Sequence, residues 1–97
     1  MKVHPILIVG DEPGMRTALM HALDGAGYSF ETASSGFEAL EKLKKDEFSA
    51  VITDVNMPQM SGFEVLGKMK KMSSEVPVVF ITADGSVDNA VEAMRIG

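Results

Sequence analysis

The 97-residue chain predicts an α/β domain, a parallel sheet with helices on both faces. Three observations predict it: short β-branched apolar runs recur, helical segments with defined start signals separate them, and one strand–helix unit is repeated internally. Strand–helix alternation four times over requires a parallel sheet, because each crossover carries its helix back across a face.

Ile6-Leu7-Ile8-Val9 is a continuous apolar run ended by Gly10 and two acids. Ala50-Val51-Ile52-Thr53 and Val78-Val79-Phe80-Ile81 are similar, and all three read as strands buried on both faces. Tyr28-Ser29-Phe30-Glu31-Thr32-Ala33 alternates instead, which predicts a half-exposed edge strand.

Helices are predicted at about Pro13–Leu23, Gly36–Lys45, Gly62–Met72 and Val87–Ile96. Pro13 suits a first helical turn, where its missing N–H is not needed. Ser35-Gly36-Phe37-Glu38 and Ser61-Gly62-Phe63-Glu64 fit the capping box, and Ser86 can cap the last helix. The two boxes open a repeat: residues 35–45 match residues 61–71 at 8 of 11 positions, at an offset of 26. Phe37, Leu40 and Leu43, with Phe63, Leu66 and Met69, are expected to face the sheet. Two copies are one packing problem solved twice, since a solenoid needs at least about three.

Composition narrows the function. Length allows one domain, residues 1–97. Nine basic against 14 acidic side chains give a net charge of −5, which argues against direct nucleic-acid binding. Zero cysteines exclude a disulfide framework, a zinc knuckle and a thiol nucleophile. No apolar run approaches the ~18 residues of a membrane span, and Met1–Pro5 is no secretory signal, so a cytoplasmic protein without membrane attachment is expected. Val78–Ile81 reads as a central strand, yet no residue beyond Gly97 covers its outer side. The pattern is that of a five-unit fold lacking its fifth unit, and the exposed apolar edge offers a route to a homodimer.

In an open parallel sheet, ligands bind beyond the carboxyl ends of the strands. Asp11 and Glu12 follow the first strand, Asp54 ends the third and Thr82 the fourth. If the first and third strands are neighbours, Asp11 and Asp54 converge. Two carboxylates repel unless a proton or a hard cation lies between them. An oxygen-only site suits Mg²⁺ better than zinc. His4 and His21 lack ligand-spaced partners and read as surface or structural; Met57 and Met60 sit in a loop open to a partner, and the helical methionines, Met15 among them, read as core filling.

Ile6–Pro13, then Val51–Pro58 with Ser61-Gly62, then Val79–Ala83 resemble a response-regulator receiver domain, in register from Val3 to Gly97. The resemblance implies a flavodoxin-like doubly wound parallel sheet, order 2-1-3-4-5, here with four strand–helix units. It implies a module of two-component phosphorelay signalling, a phosphoacceptor and not a turnover enzyme. A histidine kinase or phosphotransfer protein would be the partner, Mg²⁺ the cofactor, and an effector domain beyond residue 97 the output. Asp54 would be the nucleophile and a metal ligand, Asp11 the direct acidic ligand, and Asn56 a ligand through its carbonyl. Thr82, through its hydroxyl, and Ala83, through its amide, would hold the phosphoryl oxygens.

Two departures stand against that pattern. The family has an acid pair where this chain has Gly10-Asp11, and Glu12, pointing away from Asp11, does not replace the missing acid. The family's lysine and switch aromatic lie on and after the fifth strand, which this chain does not reach. Both keep alive an alternative, a degenerate receiver acting as a phosphorylation-independent protein-interaction module. A phosphatase with an aspartyl-phosphate intermediate would carry an acid at position 56, where this chain has Asn56. Gly10-Asp11-Glu12-Pro13-Gly14 puts acids where a dinucleotide would need glycines and open N–H groups.

Overall fold

The computed structural model describes residues 4–72 and 74–81. Their elements are β1 (Ile6–Val9), α1 (Pro13–Gly25), β2 (Phe30–Ala33), α2 (Gly36–Lys45), β3 (Ala50–Asp54), α3 (Gly62–Lys71) and β4 (Val78–Ile81). The strands form one sheet in the order β2-β1-β3-β4, with every pairing parallel. That is the expected α/β architecture through its first four strands. The helix expected at Val87–Ile96 lies outside the described residues.

Alternation along the strands splits the sheet into two faces. Leu7, Val9 and Val51 point to one face, where they form the main core with Ala33 of β2, Ala39 and Leu40 of α2, and Val65 and Met69 of α3. Ile8 points the other way and is fully buried on the side of α1, which lies against β1 and β2. Thus helices cover both faces of β1, the one strand with four buried residues in succession.

β3 and β4 are not buried on both faces as expected. Ile8, Ile52 and Val79 are register partners across β1, β3 and β4, so they share a face. Their cover fails outward: Ile8 is 0% exposed, Ile52 is half-buried and Val79 is 53% exposed. Among the described residues β4 is paired on one side only, in line with its expected edge position.

Two local differences have clear causes. The alternating segment starts its ladder at Phe30, not Tyr28, because α1 runs on to Gly25 and the Tyr28 N–H donates to the Leu23 carbonyl at 2.9 Å. The buried stripe of each repeat helix begins on its glycine: Gly36, Ala39 and Leu40 in α2, and Gly62, Val65, Leu66 and Met69 in α3. This i, i+3, i+4 spacing turns Phe37 outward, where it is 53% exposed. Its counterpart Phe63 finds a partner instead, packing on Phe80 of β4 at 5.0 Å between ring centroids.

Both serine caps form as expected, Ser35 Oγ accepting from the Glu38 N–H at 3.1 Å and Ser61 Oγ from the Glu64 N–H at 3.2 Å. The reciprocal half of the first box slips by one residue. The Glu38 carboxylate accepts from the Ser34 N–H at 2.8 Å and the Ser34 hydroxyl at 3.0 Å.

Candidate functional site

The carboxyl ends of the strands bring the candidate residues to one edge. Val9 is the register partner of Thr53, so the next residues along, Gly10 and Asp54, stand side by side. A Cβ built on Gly10 would lie 3.9 Å from the Asp54 Cβ. Asp11 follows immediately and is exposed. The expected neighbourhood of the first and third strands is therefore present, and both carboxylates leave the sheet at the same edge. Thr82 and Ala83 lie outside the described residues.

Asp54 is half-buried at the last position of β3. Its Oδ1 accepts the Asn56 N–H at 3.1 Å, a local turn that fixes the carboxylate and leaves Oδ2 as its second oxygen. Below it the Thr53 hydroxyl, fully buried, donates to the Asp54 carbonyl at 3.0 Å. The chain then leaves β3 in a tight loop. Val55 N–H donates to the Ile81 carbonyl at 3.0 Å and Gly62 N–H to the Val55 carbonyl at 2.9 Å, so both ends of the loop are tied. Gln59 within it has φ 68°, a left-handed conformation that costs a non-glycine residue about 1 kcal/mol or more.

The same loop corrects the reading of its methionines. Met60 is 3% exposed and belongs to the main core, and Met57 packs against it. A Cβ on Gly36 would stand 2.7 Å from the Met60 sulfur. Close approach of the α2 N-terminus to Met60 anchors the Asp54 loop to the helix layer and withdraws Met60 from the surface, while Met57 stays partly exposed.

On the β1 side, the residues that sequence spacing missed are Met15 and Arg16. The Arg16 Nη1 donates to the Gly10 carbonyl at 2.5 Å, and the Gly10 N–H donates to the Ala33 carbonyl at 3.0 Å. Gly10 is thus held from both sides. The Met15 side chain lies directly over it, its Cε only 2.0 Å from where a Gly10 Cβ would be. A signal existed: a missing side chain beside buried strands leaves a volume that close packing must fill. Side chains early in the next helix lean back towards that spot. His4, by contrast, sits at the opposite pole and pairs with Glu47, Nε2 to Oε2 2.9 Å, in keeping with a structural role.

Glu38 stands at the same edge, beside the end of β2. The Ser34 backbone N–H holds its carboxyl below the usual value of 4.5 against the opposing effect of desolvation, helped by the Ser34 hydroxyl, Lys42 and Arg16. A depressed folded-state pKa contributes stability that is present above the unfolded value and is lost as pH falls through the folded one. Glu38→Gln is therefore expected to flatten the stability profile between about pH 6 and pH 3 relative to the parent. Urea melts across that range are the check, and parallel profiles for the two proteins would remove Glu38 from the account.

Among the described residues, no group of three His, Cys, Asp or Glu side chains could hold a metal. Also among them, no helix is long and apolar enough to cross a membrane. What the edge does offer is two carboxylates, Asp11 and Asp54, oxygen donors of the kind a hard cation takes.

Comparison with known proteins places this geometry. The family profile of the response regulator receiver domain matches residues 6–97. The chain is 44% identical over 92 residues to the response regulator protein FleR of Pseudomonas aeruginosa, covering 95% of this chain and 20% of FleR. The chain thus spans about a fifth of the length of that relative. Among solved structures, the chemotaxis protein CheY4 of Vibrio cholerae superposes with a TM-score of 0.86 at 36% identity, over 99% of this chain and 82% of that one. The response regulator TrrA of Thermotoga maritima, solved in complex with Mg²⁺–BeF, gives a TM-score of 0.80 at 34% identity, over 94% of this chain and 81% of that one. With the family profile spanning all but the first five residues, the chain belongs to the response regulator receiver family, the receiver module of two-component signalling.

Proposed function

We propose that this domain is a phosphoacceptor: Asp54 takes a phosphoryl group, with Mg²⁺, from the phosphohistidine of a histidine kinase or phosphotransfer protein. The observation that carries the reading is Asp54 itself. It is a half-buried carboxylate at a strand end, pinned through Oδ1 and set beside the Gly10-Asp11 turn. In the step, Oδ2 of Asp54 forms a bond to phosphorus, the phosphorus–nitrogen bond of the donor breaks, and the leaving imidazole takes up a proton. The product is an acyl phosphate. Catalysis of this kind is positioning and charge neutralisation.

Asp11, Asp54 and the Asn56 carbonyl are the residues that would hold the metal, and the oxygen-only set supports that choice. Bound Mg²⁺ supplies positive charge against the phosphoryl oxygens and the acids. The Asn56 N–H keeps the nucleophile from rotating, and the tied ends of the loop fix its position relative to β4. Thr82 and Ala83 complete the proposal by resemblance, receiving the transferred oxygens. Since FleR extends well beyond the matched stretch, an output domain attached to this receiver belongs to the same proposal. A second reading, an interaction module that works without phosphorylation, draws on Gly10 and on Met15 lying over it.

A small phosphodonor and intact-mass spectrometry decide between them. The chain is expected to gain one phosphoryl group with Mg²⁺ and none with chelator, and Asp54→Asn is expected to gain none. Equal labelling of both proteins would overturn the assignment of Asp54. No labelling of either, on a folded chain, would favour the interaction module.

A further inference from the structure

We propose that Glu38 and Lys42 of α2 seal the outer side of β2 by standing in for one residue of a neighbouring strand, and so keep a second copy of this chain from adding its own β2 there. Among the described residues β2 has β1 on one side and no strand on the other. The Ile6 N–H donates to the Ser29 carbonyl and the Gly10 N–H to the Ala33 carbonyl, both at 3.0 Å. By the alternation of a strand, residues 29, 31 and 33 therefore turn to β1, and residues 30, 32 and 34 turn outward. Two of those outward groups are taken by α2. Lys42 Nζ donates to the Thr32 carbonyl at 2.6 Å, and the Ser34 N–H donates to Glu38 Oε1 at 2.8 Å. These are the two groups that a single residue of a parallel neighbour would bond, through its own N–H and carbonyl.

An ordinary i, i+4 pair lies on its own helix and leaves the strand alone; here both heads reach strand backbone. Lys42 Nζ is also 3.8 Å from Glu31 Oε1 and 3.9 Å from Glu38 Oε2, and its side chain is 30% exposed. An entering strand would have to displace an ammonium held by three oxygens, and charge-assisted bonds of this kind are the strong ones. A lysine on an edge is a known bar to strand pairing. The occupant it bars here is the β2 of a second copy. Antiparallel pairing about a two-fold axis at Thr32 sets Thr32 against Thr32, Phe30 against the second copy's Ser34, and Glu31 against its Ala33. No acid then opposes an acid, and threonine pairs are favourable across strands. The Thr32 carbonyl lies at the centre of that register, so the Lys42 bond blocks the ladder where it would have to begin. The pair stands apart from Asp54, and its role does not depend on phosphorylation.

Sedimentation across a concentration series compares the parent with Lys42→Met, Glu38→Ala, the double variant, and the double variant carrying Thr32→Pro. Methionine keeps the apolar stem of Lys42 and alanine keeps the helix, and thermal melts establish that each protein is folded. The double variant is expected to self-associate about tenfold or more tightly than the parent, the worth of a few net hydrogen bonds, with the single variants between them. Thr32→Pro removes an outward N–H that β1 does not use, and proline is tolerated at such a place on an edge strand. It is therefore expected to return the double variant to the association of the parent. A folded double variant that associates no more tightly than the parent would overturn the proposal. So would a gain that Thr32→Pro leaves in place, since the new contact would then lie on another surface. Should the double variant not fold, Lys42→Met alone, with and without Thr32→Pro, decides by the same two readings.

Discussion

Gly62→Ala is expected to destabilise the domain by about 1–3 kcal/mol and to shift the Asp54 loop, although alanine is the better helix former. A Cβ on Gly62 would stand 2.4 Å from the Asp54 carbonyl oxygen, 3.2 Å from its carbonyl carbon and 3.2 Å from the Phe80 ring. The first two are backbone atoms, which no rotamer change can clear. The Gly62 N–H is also bonded to Val55, so α3 would have to retreat from the loop and strain the Phe63–Phe80 contact. Gly67, one and a half turns further along the same helix, is the control, for a Cβ there meets nothing within 4 Å. Gly67→Ala is expected to stabilise by about 0.5–1 kcal/mol. Urea denaturation of the two variants should therefore move the midpoint in opposite directions, and a shift of the same sign would remove the close approach of α3 to the Asp54 carbonyl.

Leu7→Ala carries the largest expected loss, about 2–5 kcal/mol. Leu7 is fully buried, belongs to the main core, and lies on a strand paired on both sides, with Glu31 and Val51 as its register partners. A cavity there is walled by strands on either side and helices above, so it collapses poorly. Domains of this size have about 5–15 kcal/mol in all. Each kcal/mol moves the melting temperature by about 4–8 °C, so a fall of roughly 10 °C or more is expected in a thermal melt. A change of under about 1 kcal/mol would show that the core re-forms around alanine and is looser than its burial indicates.

The sequence carried the layering of this domain because a short apolar run bounded by turn residues marks a strand by itself: Ile6–Val9 and Val78–Ile81 are the observed strands to the residue. The caps were legible for the same local reason, a serine three residues ahead of a glutamate. What was not legible depends on neighbours distant in the chain. Phe37 and Phe63 occupy equivalent places in the repeat, yet only Phe63 has an aromatic ring from β4 to pack on. Met60 reads as a loop residue until Gly36 closes on it. In the site, Asp11, Asp54 and Asn56 were nameable from spacing and family resemblance together, and the edge that collects them follows from the strand order. Met15 was not, because a methionine in an amphipathic helix carries no mark of which gap it fills. Thr82 and Ala83 rest on resemblance alone.

The place of β1 in the sheet has a consequence for how the chain folds. It meets β2 across one helix, but it meets β3 only after two helices have been spanned, and the Ser49–Pro5 contact closes a separation of 44 residues. Doubling a loop adds only about 0.6 kcal/mol of closure entropy, so the longer pairing is a modest extra cost. What the early pairing lacks is cover. With β1 and β2 alone, the second edge of an entirely apolar strand stays open, and the main core still lacks Val51, Val65 and Met69. The first half of the molecule is therefore no self-sufficient folding unit. Its rate-limiting step is expected to be the docking of β3 against β1, which places the nucleus at non-local contacts and sets the folding rate by topology more than by the helices.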